Sequence, residues 1–135
     1  MVEMELNKII IDEKRQEQII VLKEKNGTRL LPIIIGLSEA SSIKMKISHL
    51  PTPRPMTHDL LKSIIENLGG RVEKILIDAL LSNTFHAKIF INRANNGQVI
   101  VDARPSDSIA LALRTESPIF VEDEVIDKAQ AFKGL

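Results

Sequence analysis

The sequence predicts a single α+β domain, a mixed and mostly antiparallel sheet packed against several helices. Strand-like segments come in two runs with short reversals, over residues 2–35 and 71–103, and do not alternate one by one with helices, so repeated βαβ units are not indicated. Between and after these runs, apolar residues recur at steps of three and four, the period of a helix with one buried face. The chain has 135 residues, 44% of them hydrophobic, which is enough for one core, and no shift in composition marks a seam. Residues 1–135 are therefore read as one domain.

Val2 to Ile11 alternates apolar and polar residues as a strand does, "DEKRQE" is a polar turn, and "QIIVLKEK" is a second strand. Asn26-Gly27 is a two-residue hairpin signal leading into "TRLLPIII", where Pro32 places the third strand at an edge or a bulge. The run "LLPIII" is apolar for longer than one sheet face requires. A homodimer is predicted to cover it, the intramolecular alternative being the chain's own last helix.

Leu37, Ala40, Ile43, Ile47 and Leu50 form one face of a first helix, with Ser38 as its expected cap. "PTPRP" is stiff and extended, because each proline restrains its own φ and the residue before it. Thr57 is the expected cap of a second helix with the stripe Leu60, Leu61, Ile64, Ile65 and Leu68, stopped by Gly69. Three strands follow, "RVEKILIDALL", "TFHAKIFINR" and "QVIVDA", reversed at "SN" and "ANNG", with Phe85, Ala87, Ile89 and Ile91 sharing a face. A helix from Pro105 to Thr115, a short strand "PIFV" and a final helix "EDEVIDKAQAFK" complete the chain. The helices after Gly36, Thr57 and Pro105 are expected to cover one face of the sheet.

Eighteen basic and 18 acidic residues cancel, so the overall field neither draws in a polyanion nor repels one. With no cysteine, disulfides, thiolate nucleophiles and cysteine metal clusters are excluded. His49, His58 and His86 lack zinc-ligand spacing. An acidic amino terminus is unlike a signal peptide, and no apolar run is long enough to cross a bilayer, so a soluble cytoplasmic protein with no membrane partner is expected. Walker loop, dinucleotide fingerprint and serine elbow are absent, and with Phe85 and Phe90 alone on the central strands a stacking platform for single strands is poorly supported.

The chemistry-bearing residues gather at predicted helix mouths. In "VDARPSDSIALALR", Pro105 fits the first helical position, which makes Arg104 the cap and Asp107 a carboxylate in the first turn, where the helix dipole favours it. Arginine is a poor cap, since it cannot accept a hydrogen bond from the free amides, so its donor fork should clamp Asp102, Asp107 or a phosphate. Asp102, at a strand end, could join Asp107 in binding a hard cation, and Glu39 near another helix start would add a third carboxylate. His58 and Asp59 open the second helix, where the dipole favours a neutral imidazole that could act as a base. Arg54 is held between prolines and could contact phosphate. Each of these residues also has a structural reading as cap, ion pair or first-turn polar group.

"LPIIIGLSEA", "PRPMTHDLL", "NTFHAKI" and "VDARPSDSIALALR" resemble, in that order, the motifs of the bifunctional nuclease domain family, once catalogued as a domain of unknown function. The matching positions are Glu39, Arg54, Pro55, Thr57, His58, Asp59, Asp102, Arg104, Pro105, Ser106 and Asp107, with Ser108 where the family usually has alanine. The resemblance implies a small α+β protein, frequently dimeric, and a nuclease that cuts DNA or RNA with Mg²⁺ or Mn²⁺. On that reading Asp102, Asp107 and Glu39 hold the metal, His58 and Asp59 join Asp102 and Asp107 in catalysis, and Arg54 and Arg104 steady the phosphate. The alternative is a noncatalytic dimeric binding or regulatory module whose charged motifs are conformational clamps.

Overall fold

The computed structural model describes residues 1–12, 14, 16–95 and 97–133, with side chains as far as Gln130. Glu13 and Arg15 of the predicted turn "DEKRQE", and Asn96 of "ANNG", lie outside the described residues. In chain order the elements are β1 (Val2–Ile10), β2 (Glu17–Glu24), β3 (Leu30–Gly36), α1 (Leu37–Ile47), α2 (Thr57–Asn67), β4 (Gly70–Leu81), β5 (Thr84–Arg93), β6 (Gly97–Ala103), α3 (Pro105–Thr115), β7 (Ile119–Val121) and α4 (Asp123–Lys133).

Two antiparallel meanders, β1–β2–β3 and β4–β5–β6, are joined by β7 into one sheet of order β3-β2-β1-β7-β4-β5-β6. β7 runs antiparallel to β1 and parallel to β4, the one parallel pairing in the described sheet. Edge strand β3 accommodates Pro32, which lacks the amide a central strand would need on both sides. Alternation puts Leu31, Ile33 and Ile35 of β3, Ile20 and Leu22 of β2 and Met4 of β1 into one core with Ala40 and Ile43 of α1, Ile109 and Leu111 of α3, and Val125 and Ile126 of α4. The sheet thus packs against four helices in a single α+β domain. Among the described residues no helix is long and apolar enough to cross a membrane.

Helix α3 is the central helix, packed on α1, α2, β4 and β5. Ile109, Ala110, Leu111 and Ala112 are all buried, so it is covered nearly all round. Helix α2 lies outside it and turns His58 inward, its buried residue. The predicted stripe therefore does not seal onto the chain's own core: Leu60, Leu61, Ile64 and Leu68 are exposed, Leu68 by 77%, and Ile65 packs partly buried against the core. Much of the "LLPIII" excess is, by contrast, resolved within the chain, where α4 lies against β3 and Gln130 Nε2 donates to Leu30 O. Ile34 stays exposed.

Local starts and turns differ in detail from the sequence expectation. Gly36, not Ser38, precedes α1, and a Cβ at Gly36 would collide with the Glu39 carboxylate folded back over it. Met56, not Thr57, caps α2, and Asp59 Oδ2 accepts its amide at 3.0 Å. The Asn26-Gly27 reversal is wider than two residues: β2 ends at Glu24, β3 begins at Leu30, and neither Asn26 nor Gly27 has the positive φ a tight reversal requires. The tight hairpin is at Ser82-Asn83, with φ of 50° and 64°, between Leu81 and Thr84.

Candidate functional site

The ends of β3 and β6 lie at opposite edges of the sheet, yet the helices that follow them begin side by side. Arg104, at the mouth of α3, donates from Nη2 to Glu39 Oε1 of α1 at 3.0 Å and from Nε to Asp107 Oδ2 at 2.8 Å. The guanidinium is 67% exposed, so this end of the cluster meets solvent. Asp107 Oδ1 lies 2.9 Å from His58 Nε2, and His58 Nδ1 lies 2.9 Å from Ser42 Oγ. Arg114 closes the chain of contacts from within, donating to Ser42 Oγ at 3.1 Å, to Ser42 O at 3.2 Å and to Asp59 Oδ1 at 2.8 Å. Glu39, Arg104, Asp107, His58, Ser42, Arg114 and Asp59 thus form one polar path from the surface into the seam between α1, α2 and α3.

The electrostatics follow from these contacts. Burial works to raise the Asp107 carboxyl, but Arg104 and His58 outweigh it and hold it below its ordinary value. Burial likewise opposes ionisation of Asp59, and the Met56 amide and Arg114 overcome it. The Asp107 carboxylate in turn raises Arg104 above the ordinary arginine value. Both carboxylates are therefore held in the ionised form by the groups that bond them.

Asp102 is not brought to this cluster. In register with Lys88 across β5 and β6, it points away from the face on which Ala103 and Ala87 meet the core. Its carboxylate, 76% exposed, bonds Lys88 Nζ at 3.1 Å, and Lys88 also contacts Asp78 at 3.3 Å. Strand alternation is the reason: residues 102 and 103 must face opposite sides of the sheet. Arg54 is exposed, with no side-chain hydrogen bond or ion pair among the described residues, while its carbonyl accepts from Thr52. His49 follows α1 with a φ of 54°, and His86 sits half-buried on β5, neither in the cluster. Among the described residues no group of three or more His, Asp or Glu side chains is placed to hold a metal ion.

Two members of the path, Ser42 and Arg114, carry no signal in a motif-by-motif reading. The signal that could have found them is helical spacing: Arg114 is seven residues after Asp107, two turns along the same face, and Ser42 is three after Glu39. A lone arginine in the apolar run "IALALR" also demands buried acceptors.

The fold and cluster define a small α+β domain whose three helix mouths converge on a carboxylate–arginine–histidine group. The chain belongs to the bifunctional nuclease domain family, whose profile matches residues 20–133. An uncharacterized protein of Mycobacterium tuberculosis is 40% identical over 121 residues, covering 90% of this chain and 71% of that protein. Bifunctional nuclease 1 of Arabidopsis thaliana is 31% identical over 105 residues, 76% of this chain and 32% of the plant protein. Bifunctional nuclease 1 of Oryza sativa subsp. japonica is 27% identical over 109 residues, 78% of this chain and 33% of the rice protein. The chain spans about a third of these plant relatives.

Proposed function

We propose that the protein is a metal-assisted nuclease that hydrolyses phosphodiester bonds of DNA or RNA at the mouths of α1 and α3. The observation that carries this reading is the convergence of Glu39 and Asp107 on one exposed cation, the Arg104 guanidinium, in a chain of this family. Two carboxylates and one guanidinium leave the exposed end negative by formal charge, which favours a second cation. Their hard oxygens fit Mg²⁺ or Mn²⁺, ions that are held by one or two carboxylates and completed by water and phosphate oxygens. Glu39 and Asp107 would hold the ion, and when bound it would supply positive charge to a phosphoryl oxygen.

Arg104, on a long exposed stem, would leave its carboxylates to meet the phosphate, and Arg54 offers another exposed cation for the backbone. Water activation falls to the half-buried carboxylates of the cluster, since both ring nitrogens of His58 are already bonded. Asp102 has no part in this arrangement, and Asp59 bonds Arg114 at the other end of the path. We further propose a homodimer in which the bare face of α2 packs against its copy.

The test is cleavage of single- and double-stranded DNA and RNA by the purified chain with Mg²⁺, Mn²⁺ or chelator, alongside an Asp107→Asn preparation purified identically. Divalent-dependent cleavage lost in the variant is the expected result. A wild type inactive on every substrate would instead favour the noncatalytic module, a reading supported by one feature: Arg104 ties α1 to α3 through the same two carboxylates, as a clamp would.

A further inference from the structure

Ser42 and Arg114 sit behind His58, where no substrate reaches: Arg114 is 4% exposed at its side chain and His58 is 5% exposed. We infer that this pair, by giving Nδ1 a hydroxyl donor, holds His58 with its ring hydrogen on Nε2 and makes it a positioning residue that aims the Asp107 carboxylate. The tautomer stands on the hydrogen bonds alone, and its catalytic consequence rests on the nuclease reading.

The inference follows from counting hydrogens. A guanidinium has donors only, so the contact between Arg114 Nη2 and Ser42 Oγ uses a lone pair of the serine oxygen. Ser42 carries one hydroxyl hydrogen, and its remaining side-chain partner is His58 Nδ1 at 2.9 Å. If the serine donates, Nδ1 accepts, and the ring hydrogen must be on Nε2. There it points at Asp107 Oδ1, 2.9 Å away, which as an ionised carboxylate can only accept. Every contact then joins a donor to an acceptor.

The other tautomer fails at both ends. With the hydrogen on Nδ1, the imidazole and Arg114 would both donate to Ser42 Oγ, leaving its hydroxyl hydrogen without either neighbour as acceptor. Nε2 would then present a lone pair to the Asp107 carboxylate, acceptor against acceptor, at 2.9 Å. Arg114 itself is not free to turn, because Asp59 and Ala110 O hold it at 2.8 and 3.0 Å.

For the site this has a definite result. The Nε2–H bond holds Asp107 Oδ1 from behind, which leaves Oδ2 facing Arg104 and the place proposed for the cation. Orientation of a ligating carboxylate by an outer hydrogen bond commonly governs affinity and rate, with losses on the order of 10- to 100-fold when it is removed. Ser42 and Arg114 would then act on the reaction without touching substrate.

Long-range ¹H–¹⁵N spectra of the histidine rings near neutral pH test this directly, with His58 assigned by the peak lost in His58→Gln. The expected spectrum has a protonated Nε2 and a bare Nδ1 for His58. In Ser42→Ala the bare Nδ1 loses its hydroxyl donor, so its resonance should move downfield while Nε2 stays protonated against Asp107; kcat should fall roughly 10- to 100-fold with KM little changed, and Ser42→Thr, which restores a hydroxyl, should recover both. A wild-type His58 protonated at Nδ1, or populating both tautomers, overturns the inference, as does an unaltered spectrum in a folded Ser42→Ala. Should that variant not fold, the wild-type spectrum decides alone. A wild type with the expected spectrum but no cleavage refutes the nuclease reading and leaves the tautomer standing.

Discussion

Arg114 shows how differently two arginine–aspartate contacts can weigh in one small protein. Its guanidinium is buried while the Asp59 carboxylate is 40% exposed, so Asp59→Asn leaves a buried donor that Ser42 and Ala110 only partly satisfy and that water partly screens; the expected loss is about 1–3 kcal/mol. Asp102→Asn removes an exposed partner of Lys88 and should cost about 0–1 kcal/mol. Denaturant titration of the two variants checks the contrast. Acid should act through the same inner contacts. Asp107 and Asp59 are held below the ordinary carboxyl value of 3.8, so the folded state binds fewer protons there than the unfolded one. Their contribution is present above that value and is lost as pH falls through the lower folded values. Asp107→Asn should flatten the acid limb of a stability-against-pH curve; an unchanged limb would contradict the assignment. At this scale the sequence was partly legible. Arg104, a poor cap, announced that it should clamp something, and Asp107 was placed in the first turn, but Ser42 was not singled out, because its spacing from Glu39 marks a shared helix face and not the histidine sixteen residues on that it meets.

At the scale of elements, α2 departs most from its pattern. Its apolar period is genuine, but the helix lies outside α3 and turns the other side, with His58, inward. A hydrophobic stripe says that a helix has a face to bury and is silent on whether the partner belongs to the same chain. If that partner is a second copy, Ile64→Glu should leave the fold and melting temperature nearly unchanged, because Ile64 is 46% exposed in the single chain, while sedimentation shifts from dimer to monomer. Wild type sedimenting as a 15.1 kDa species would contradict the dimer. Turns show the same division. Of the two short signals, "NG" suggested a tight reversal where the chain makes a wider one, while the reversal expected at "SN" is present and tight, with positive φ at both Ser82 and Asn83 between paired β4 and β5.

Across the whole molecule, the decisive fact is that two opposite edges of a seven-stranded sheet come together. Six strand spacings would hold β3 and β6 roughly 29 Å apart in a flat sheet. The 3.0 Å bond from Arg104 to Glu39 shows that the sheet coils and that α1 and α3 converge over it. Sequence periodicity delivered the two meanders, the edge position of β3 and the span of α3, all of which rest on local pattern. It did not deliver the face on which Asp102 falls, since a strand-end residue changes sides with one step of register. The proposed site therefore rests on Glu39 and Asp107, on the helix side, and not on Asp102, on the far face. The most direct measurement is divalent-dependent cleavage of nucleic acid by Glu39→Gln, Asp107→Asn and Asp102→Asn prepared together with wild type, each confirmed as folded by its melting curve. Near wild-type activity is expected for Asp102→Asn and loss of cleavage in the other two. Full activity in folded Asp107→Asn, or its loss only in Asp102→Asn, would contradict the proposed site.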